Sequence, residues 1–333
     1  MKVLVIRLSA LGDITHASSV IEPLATAGCE IHFVTKSSFA SIFQDHPQLK
    51  SIYAYDAAKL GERVAREQFL NWVEQSKFDF ILDLHDSLRT RLWRRRLRAS
   101  ARLFVAKKER WREFAILFLR QKNGMGFGAG GRALKMRTLA LEALRANGLR
   151  VDAASMPLTS LAIHADTVAS WKAKLPARFA VLLPGSAWPG KQWPYFPELA
   201  EAIAAELPII ALGGEKDLDC DAAAERAQKI NPQSSSLRGK TNFRDSMAIL
   251  FLAERIFGND TGMVHVAEAL GKDVTVIEGP TEKSLGFSPY RPGSKIAGLS
   301  LVCRPCSKTG KFCLRFGSRI CLKGISAKDV QTL

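Results

Sequence analysis

The sequence predicts an α/β protein with two doubly wound parallel sheets. Strand-length apolar runs alternate with helical patterns through almost all of its 333 residues. The alternation halts at a polar connection near residue 160 and then restarts. A chain of this length also exceeds one small core, so two domains are expected, 1–160 and 161–333.

In the first half, Val3–Ile6 reads as the opening strand, followed by the loop Leu8–Asp13 and a helix to about Ala27. Glu30–Thr35, Ser51–Tyr55, Phe78–Leu84 and Arg102–Val105 continue the strands, with helical segments between them. The glycine-rich Gly124–Gly131 reads as a mobile loop, because no strand leads into it as a nucleotide fingerprint requires. A helix from about Arg132 to Asn147 stops at Gly148. In the second half the strands are Phe179–Leu183, Pro208–Leu212, Arg255–Phe257 and Asp273–Ile277. After the third of these, Asp260 reads as an N-cap, a helix opens at Thr261 and Gly271 stops it.

Composition narrows the class. Hydrophobic residues at 47% and charged residues at 24% are ordinary for a globular protein. No apolar run reaches membrane-spanning length, and the first apolar stretch is too short for a secretory leader, so a cytoplasmic protein is expected. The net charge of +16 implies acidic company. Much of it falls between Arg89 and Arg112, where eleven cations stand against the single acid Glu109, Trp93 and Trp111 are interleaved, and Phe114–Leu119 follows. A solvated helix face is the plain reading of such a run; its length and aromatics point to an anionic surface or substrate. Nucleic acid is not the expected partner, since no helix-turn-helix, RNA-binding sheet signature or zinc-finger spacing is present.

In doubly wound sheets, ligands bind beyond the carboxyl ends of the strands. Four strand-end loops carry chemistry here. Ser9–Asp13 places a carboxylate at the start of the first helix. Pro184–Pro194 offers Ser186 and the Lys191 cation, and Gly213–Asp217 offers Glu215 and Asp217 to a ribose. The Asp260 loop leads into a helix whose free N–H groups and dipole suit a phosphate. Gly262 lets an anion approach, and His265 reaches back from one turn inside. Each has a plain alternative: Asp13, Glu215 and Asp217 as helix caps, Lys191 as an exposed cation, His265 as a satisfied histidine. Together they supply a phosphate cradle, a cation and a sugar contact in one half and a carboxylate in the other.

With these loops the sequence resembles the ADP-heptose:lipopolysaccharide heptosyltransferases of glycosyltransferase family 9. The resemblance spans nearly the whole chain. It is carried by Val5–Ile14, the Pro184-Gly-Ser loop with Lys191–Pro194, Leu237–Thr241, Gly258–His265 through Gly271, and Gly279–Thr281. It implies the GT-B architecture, two Rossmann-like domains facing a cleft, with acceptor bound by the first and nucleotide sugar by the second. The implied reaction is inverting transfer of heptose from ADP-heptose to the inner core of lipopolysaccharide, onto Kdo-lipid A or a core heptose, without a required cofactor. Asp13 is implied as the base, and Lys191 with Ser186 as the holders of the diphosphate. Glu215 or Asp217 would take the ribose, and Asp260, Thr261, Gly262 and His265 the sugar and phosphates. Such an enzyme would work peripherally at the anionic cytoplasmic face of the inner membrane. A GT-B enzyme using another nucleotide sugar, or a nucleotide-sugar epimerase, is the alternative.

Three features sit apart. A carboxylate at a helix N-terminus is a weakened base, which a dissociated, oxocarbenium-like transition state eases. Glu278 stands where the family usually has an apolar or aromatic residue. Cys29 and Cys220 read as buried thiols. Cys303, Cys306, Cys313 and Cys321 have spacing that permits a structural four-thiolate zinc site or free thiols, and a reducing compartment disfavours disulfides.

Overall fold

The computed structural model describes residues 1–119 and 126–333. Gly124 and Met125 of the glycine-rich stretch lie outside the described residues. Its remainder is held in place: Phe127 N–H donates to the Ser284 carbonyl and Gly130 N–H to that of Ser288.

The chain forms two compact units, one of Met1–Glu109 with Arg132–Ala162, the other of Arg110–Gly131 with Ile163–Leu333. The first holds five parallel strands, β1 (Lys2–Ile6), β2 (Glu30–Lys36), β3 (Leu49–Tyr55), β4 (Phe80–Asp83) and β5 (Arg102–Val105), in the order β3-β2-β1-β4-β5. The second holds β6 (Ala180–Leu183), β7 (Ile209–Ala211), β8 (Ser235–Ser236), β9 (Arg255–Asn259), β10 (Thr275–Glu278) and β11 (Lys295–Gly298), in the order β11-β10-β9-β6-β7-β8. Every strand pair is parallel. The central strands are apolar throughout because helices cover both faces; Val3–Ile6 and Ala180–Val181–Leu182 are completely buried.

Two strands carry no clear sequence signal. β8 is two serines and β11 is a half-exposed edge strand, so neither shows an apolar run. The first helix is also interrupted: Leu11–Ala17 and Ile21–Thr26 flank a 3-10 turn at Ser18–Val20. The helix Gly131–Ala146 ends where Gly148 takes a φ of 79°, as its glycine requires.

Each sheet has its own core. Leu4, Ile6, Val34, Phe69, Trp93 and Leu97 pack in the first. Trp193, Phe196, Leu199, Ile203, Phe257 and Leu322 pack in the second. The Trp193 indole N–H finds the carbonyl of Ile325 at 2.9 Å, so the C-terminal tail is part of this core.

The strand orders fix where ligands belong. In each sheet the chain winds outward one way and then the other, leaving a crevice where the direction reverses. That reversal falls between β1 and β4 in the first sheet and between β6 and β9 in the second.

Candidate functional site

At the β1/β4 reversal, Arg7 leaves β1 and turns inward until only 7% of it is exposed. One guanidinium nitrogen lies 2.6 Å from Asp13 Oδ2, and another donates to the carbonyl of Leu84 beyond β4. Arg7 therefore ties the two strand-end loops together and points the Asp13 carboxylate into the crevice. Asp13 sits in the first turn of the helix Leu11–Ala17, with Ala10 N–H 3.4 Å from Oδ2. Burial favours its neutral form, but Arg7, His16 and Arg132 outweigh that and pull its pKa from 3.8 to about 2. The weakened base expected from the helix terminus is thus present, with cationic side chains supplying most of the effect.

The loop after β4 is shaped by Asp83, whose Oδ1 accepts the N–H groups of His85 and Asp86 at 3.0 and 3.1 Å. Burial, with Arg7 and Lys108 nearby, lowers the His85 pKa to about 3, so its imidazole is neutral at any working pH. Its buried Nδ1 has no hydrogen-bond partner among the described residues. Periodicity gives no hint of Arg7 or His85 as site residues, because both follow strands as isolated polar positions.

The basic run resolves differently from its sequence. Arg91 and Arg94 clasp Asp86, and Arg94 also reaches Asp83. Arg89 pairs with Glu62, and Arg96 with Glu67 and Glu74. These acids come from the helix Glu62–Ser76 and the β4 end, remote in sequence, so four of the six arginines of the helix Leu88–Ser100 are paired in the fold. Arg95 and Arg98 remain on the exposed face of the helix Leu88–Ser100.

At the β6/β9 reversal stands a second cation–carboxylate pair. Lys191 Nζ lies 2.6 Å from Asp260 Oδ2 and 3.3 Å from the Asp260 carbonyl. Thr281 Oγ1 donates to the same carboxylate oxygen, and His265 Nε2 stands 3.9 Å from the other. Burial works against the Asp260 charge, but Lys191 and His265 hold its pKa below the usual value.

Asp260 is not the N-cap that its sequence position suggests. Its carboxylate is engaged by Lys191 and Thr281, and Thr261 occupies the cap position of the helix Gly262–Ala269 without a side-chain cap bond. The first-turn N–H groups of that helix are left uncapped beside Lys191, an arrangement suited to a phosphate.

The supporting residues are specific. Asn259, fully buried, accepts from Trp193 N–H at 3.1 Å and donates to the Pro184 carbonyl at 2.6 Å. It thereby fixes both ends of the loop that bears Ser186 and Lys191. Ser186 Oγ accepts from Trp188 N–H at 3.4 Å. Asp217 accepts from Gly214 N–H at 2.8 Å and lies against Gly185, where any Cβ would meet its carboxylate at 2.3 Å. Ser186 and Asp217 are therefore neighbours through Gly185. Glu215 is exposed, beside Gly239.

Glu278 ends β10 beneath this pair. Burial, reinforced by Asp260, pushes its pKa up to about 7, against the pull of Ser288, Arg304 and Lys191. Ser288 Oγ donates to it, and Arg304 lies 3.7 Å away.

The tail is also built into the site. Arg319 donates to the Pro189 carbonyl at 2.9 Å, and Gly310 presses so closely on Gly190 and Lys191 that a Cβ at Gly190 would meet the Gly310 carbonyl at 2.0 Å. The four tail cysteines lie within electrostatic reach of one another, since Cys303, Cys306 and Cys313 all act on the Cys321 thiol. Among the described residues no group of three or more His, Cys, Asp or Glu is placed to hold a metal. Cys306 and Cys321 turn inward, and Cys306 Sγ faces the carbonyls of Pro280 and Phe312. Cys313 faces its own loop: burial opposes ionisation, but the amides of Arg319, Arg315 and Gly317 hold its thiol below the usual range. Cys29 and Cys220 are buried thiols.

Comparison with known proteins supplies the family and the fold. The model of glycosyltransferase family 9 (heptosyltransferase) matches residues 66–314. The chain is 23% identical over 329 residues to lipopolysaccharide heptosyltransferase 1 of Pseudomonas aeruginosa, covering 92% of this chain and 86% of that protein. It is 29% identical over 106 residues to lipopolysaccharide heptosyltransferase 2 of Escherichia coli, 30% of each chain. The E. coli heptosyltransferase WaaC with ADP-2-deoxy-2-fluoro heptose superposes with a TM-score of 0.67 at 17% identity, over 100% of this chain and 98% of that one. A family 9 glycosyl transferase from Veillonella parvula gives 0.69 at 16% identity, over 89% and 85%. At such identities the superpositions establish the GT-B fold and nothing finer.

Proposed function

The chain belongs to glycosyltransferase family 9, and from that premise we propose that it transfers heptose from ADP-heptose to the inner core of a lipopolysaccharide precursor with inversion. The observation that carries the reading is the uncapped start of the helix Gly262–Ala269, flanked by Lys191 and Asp260 at the β6/β9 reversal. It offers a diphosphate backbone N–H groups, a helix dipole and a cation together.

The division of labour follows from charge. The diphosphate lies against the helix start, Lys191 and Ser186, with Asp217 or Glu215 taking the ribose and His265 and Asp260 the heptose side. Asp13 accepts the proton of the acceptor hydroxyl as its oxygen bonds to the anomeric carbon. The bond from that carbon to the phosphate oxygen breaks, and ADP leaves with its new charge on Lys191 and the helix N–H groups. With a pKa near 2, Asp13 is a poor base for a free hydroxyl. The proton therefore leaves late, after the cationic sugar has acidified the attacking oxygen.

This enzyme would act in the cytoplasm as a peripheral protein, since its acceptor is a lipid; among the described residues no helix is long and apolar enough to cross a membrane. Mass spectrometry of a reaction with ADP-heptose and Kdo-lipid A or heptosylated acceptor tests the reading. A product one heptose heavier and dependent on Asp13 is expected. Turnover with a different nucleotide sugar, and none with ADP-heptose, would contradict it.

A further inference from the structure

The helix Arg110–Leu117 buries Glu113, Ala115 and Ile116 and turns its aromatics outward. Trp111 is 66% exposed and Phe118, just past the helix end, 65%, with Phe114 between them. The three rings form a ladder, Trp111 on Phe114 at 5.7 Å and Phe114 on Phe118 at 4.9 Å. Residues spaced 111, 114 and 118 share one face of the helix. A ladder of large rings standing in water is uncommon for a globular surface and marks a contact.

The same unit exposes a second apolar segment. Between Cys303 and Cys321 the tail presents Phe312, Leu314 and a fully exposed Phe316. Hydrogen bonds from the Arg315, Gly317 and Arg319 amides to Cys313 order this tip. The two segments belong to the same unit, and Lys308 Nζ of the tail lies 2.7 Å from Glu113 Oε2 on the inward side of the ladder's helix.

Charge selects the occupant. Arg110 and Arg112 accompany the ladder, and Lys308, Lys311, Arg315 and Arg319 follow in the tail segment, which contains no acid; Arg304 is buried beside Glu278. Glu113 is the acid among them, and Lys308 neutralises it. A second copy of the chain would set this basic face against itself, because a two-fold contact repeats the same patch on both sides. An anionic bilayer supplies both what the cations attract and what the rings enter. The Arg89–Arg98 helix is less suited, because its arginines are mostly held by Glu62, Glu67, Glu74 and Asp86.

We propose that Trp111, Phe114 and Phe118 together with Phe312, Leu314 and Phe316 insert into the surface of an anionic lipid bilayer, with Arg110, Lys311 and Arg315 on the headgroups. This deepens the transferase reading by assigning the membrane contact to the nucleotide-sugar unit. Its test needs neither nucleotide nor acceptor, so the two readings fail separately.

The experiment is flotation of the full-length protein with vesicles of phosphatidylcholine alone or mixed with phosphatidylglycerol. Wild type is expected to float with the mixed vesicles and to be released by salt. Trp111→Ser/Phe118→Ser/Phe316→Ser should lose partition by about tenfold or more, and Lys311→Glu/Arg315→Glu should lose it to mixed vesicles. Both variants alter exposed side chains, so melting temperature and the ADP-induced thermal shift should match wild type. Equal partition of wild type and the aromatic variant, or binding indifferent to anionic lipid, would overturn the proposal. So would wild-type self-association that the aromatic variant abolishes, which would make a second copy the occupant.

Discussion

The two direction reversals use the same device with opposite emphasis. Each sets a cation against a carboxylate at 2.6 Å, Arg7 with Asp13 within the segment that follows β1, and Lys191 after β6 with Asp260 after β9. At β1/β4 the carboxylate is the more exposed partner, with 25% of its side chain accessible against 8% for the guanidinium. At β6/β9 the carboxylate is the more enclosed one, 7% against 13% for the ammonium. The first arrangement leaves the anion the more accessible member and the second the cation, which is the basis on which the proposed function assigns the acceptor hydroxyl to one pair and the diphosphate to the other.

The largest effect should come from Asp13→Asn. Removing a general base costs on the order of 10²–10⁴ in turnover, and steady-state assays should show that loss with ADP affinity unchanged. A variant retaining full turnover would break the assignment of the carboxylate. Next is Lys191→Ala, which removes the proposed phosphate contact and leaves Asp260 buried without its partner. Breaking a buried pair costs about 3–5 kcal/mol, so calorimetry should show a lower melting temperature. Adding Asp260→Asn should restore stability but not ADP binding. Arg7→Met should hurt folding less because Asp13 is reachable by solvent, and it should raise the Asp13 pKa from about 2 toward 3.8, visible by carboxyl NMR titration.

Third, Asn259→Leu orphans the Trp193 amide and the Pro184 carbonyl. Each buried unsatisfied group costs about 1–3 kcal/mol, so urea unfolding should show a loss of a few kcal/mol and weaker ADP binding. The smallest effect concerns pH. The folded pKa of Glu278 is raised from 4.5 to about 7, so the folded state favours the proton and stability falls as pH rises through that interval. Glu278→Gln should therefore raise the melting temperature at pH above 7 and leave it unchanged below 4.5. Asp13 has the opposite sign: its contribution is present above 3.8 and is lost as pH falls toward 2.

Much of this was legible from local pattern. Val3–Ile6, Phe179–Leu183 and Arg255–Phe257 announce themselves as buried strands, and the loops that follow them carry Asp13, Lys191 and Asp260. What periodicity does not reveal is who pairs with whom. The arginines from 89 to 96 look unopposed because their acids lie in another helix and at a strand end. Asp260 looks like a cap because the competing Lys191 is 69 positions away. The tail gives no sign that Gly310 will rest on Gly190, since a close backbone approach has no signature beyond two glycines far apart in sequence. Asn259 was visible as part of a motif, but its structural task depends on Trp193 and Pro184 meeting it across the reversal.

The most direct test of the division between the two crevices is isothermal titration of ADP, UDP and GDP into wild type, Asp13→Asn and Lys191→Ala. ADP should bind wild type and Asp13→Asn equally and Lys191→Ala about 10-fold or more weakly, as loss of a charge-assisted contact implies. Binding lost in Asp13→Asn but retained in Lys191→Ala would place the nucleotide at the β1/β4 crevice and contradict the account.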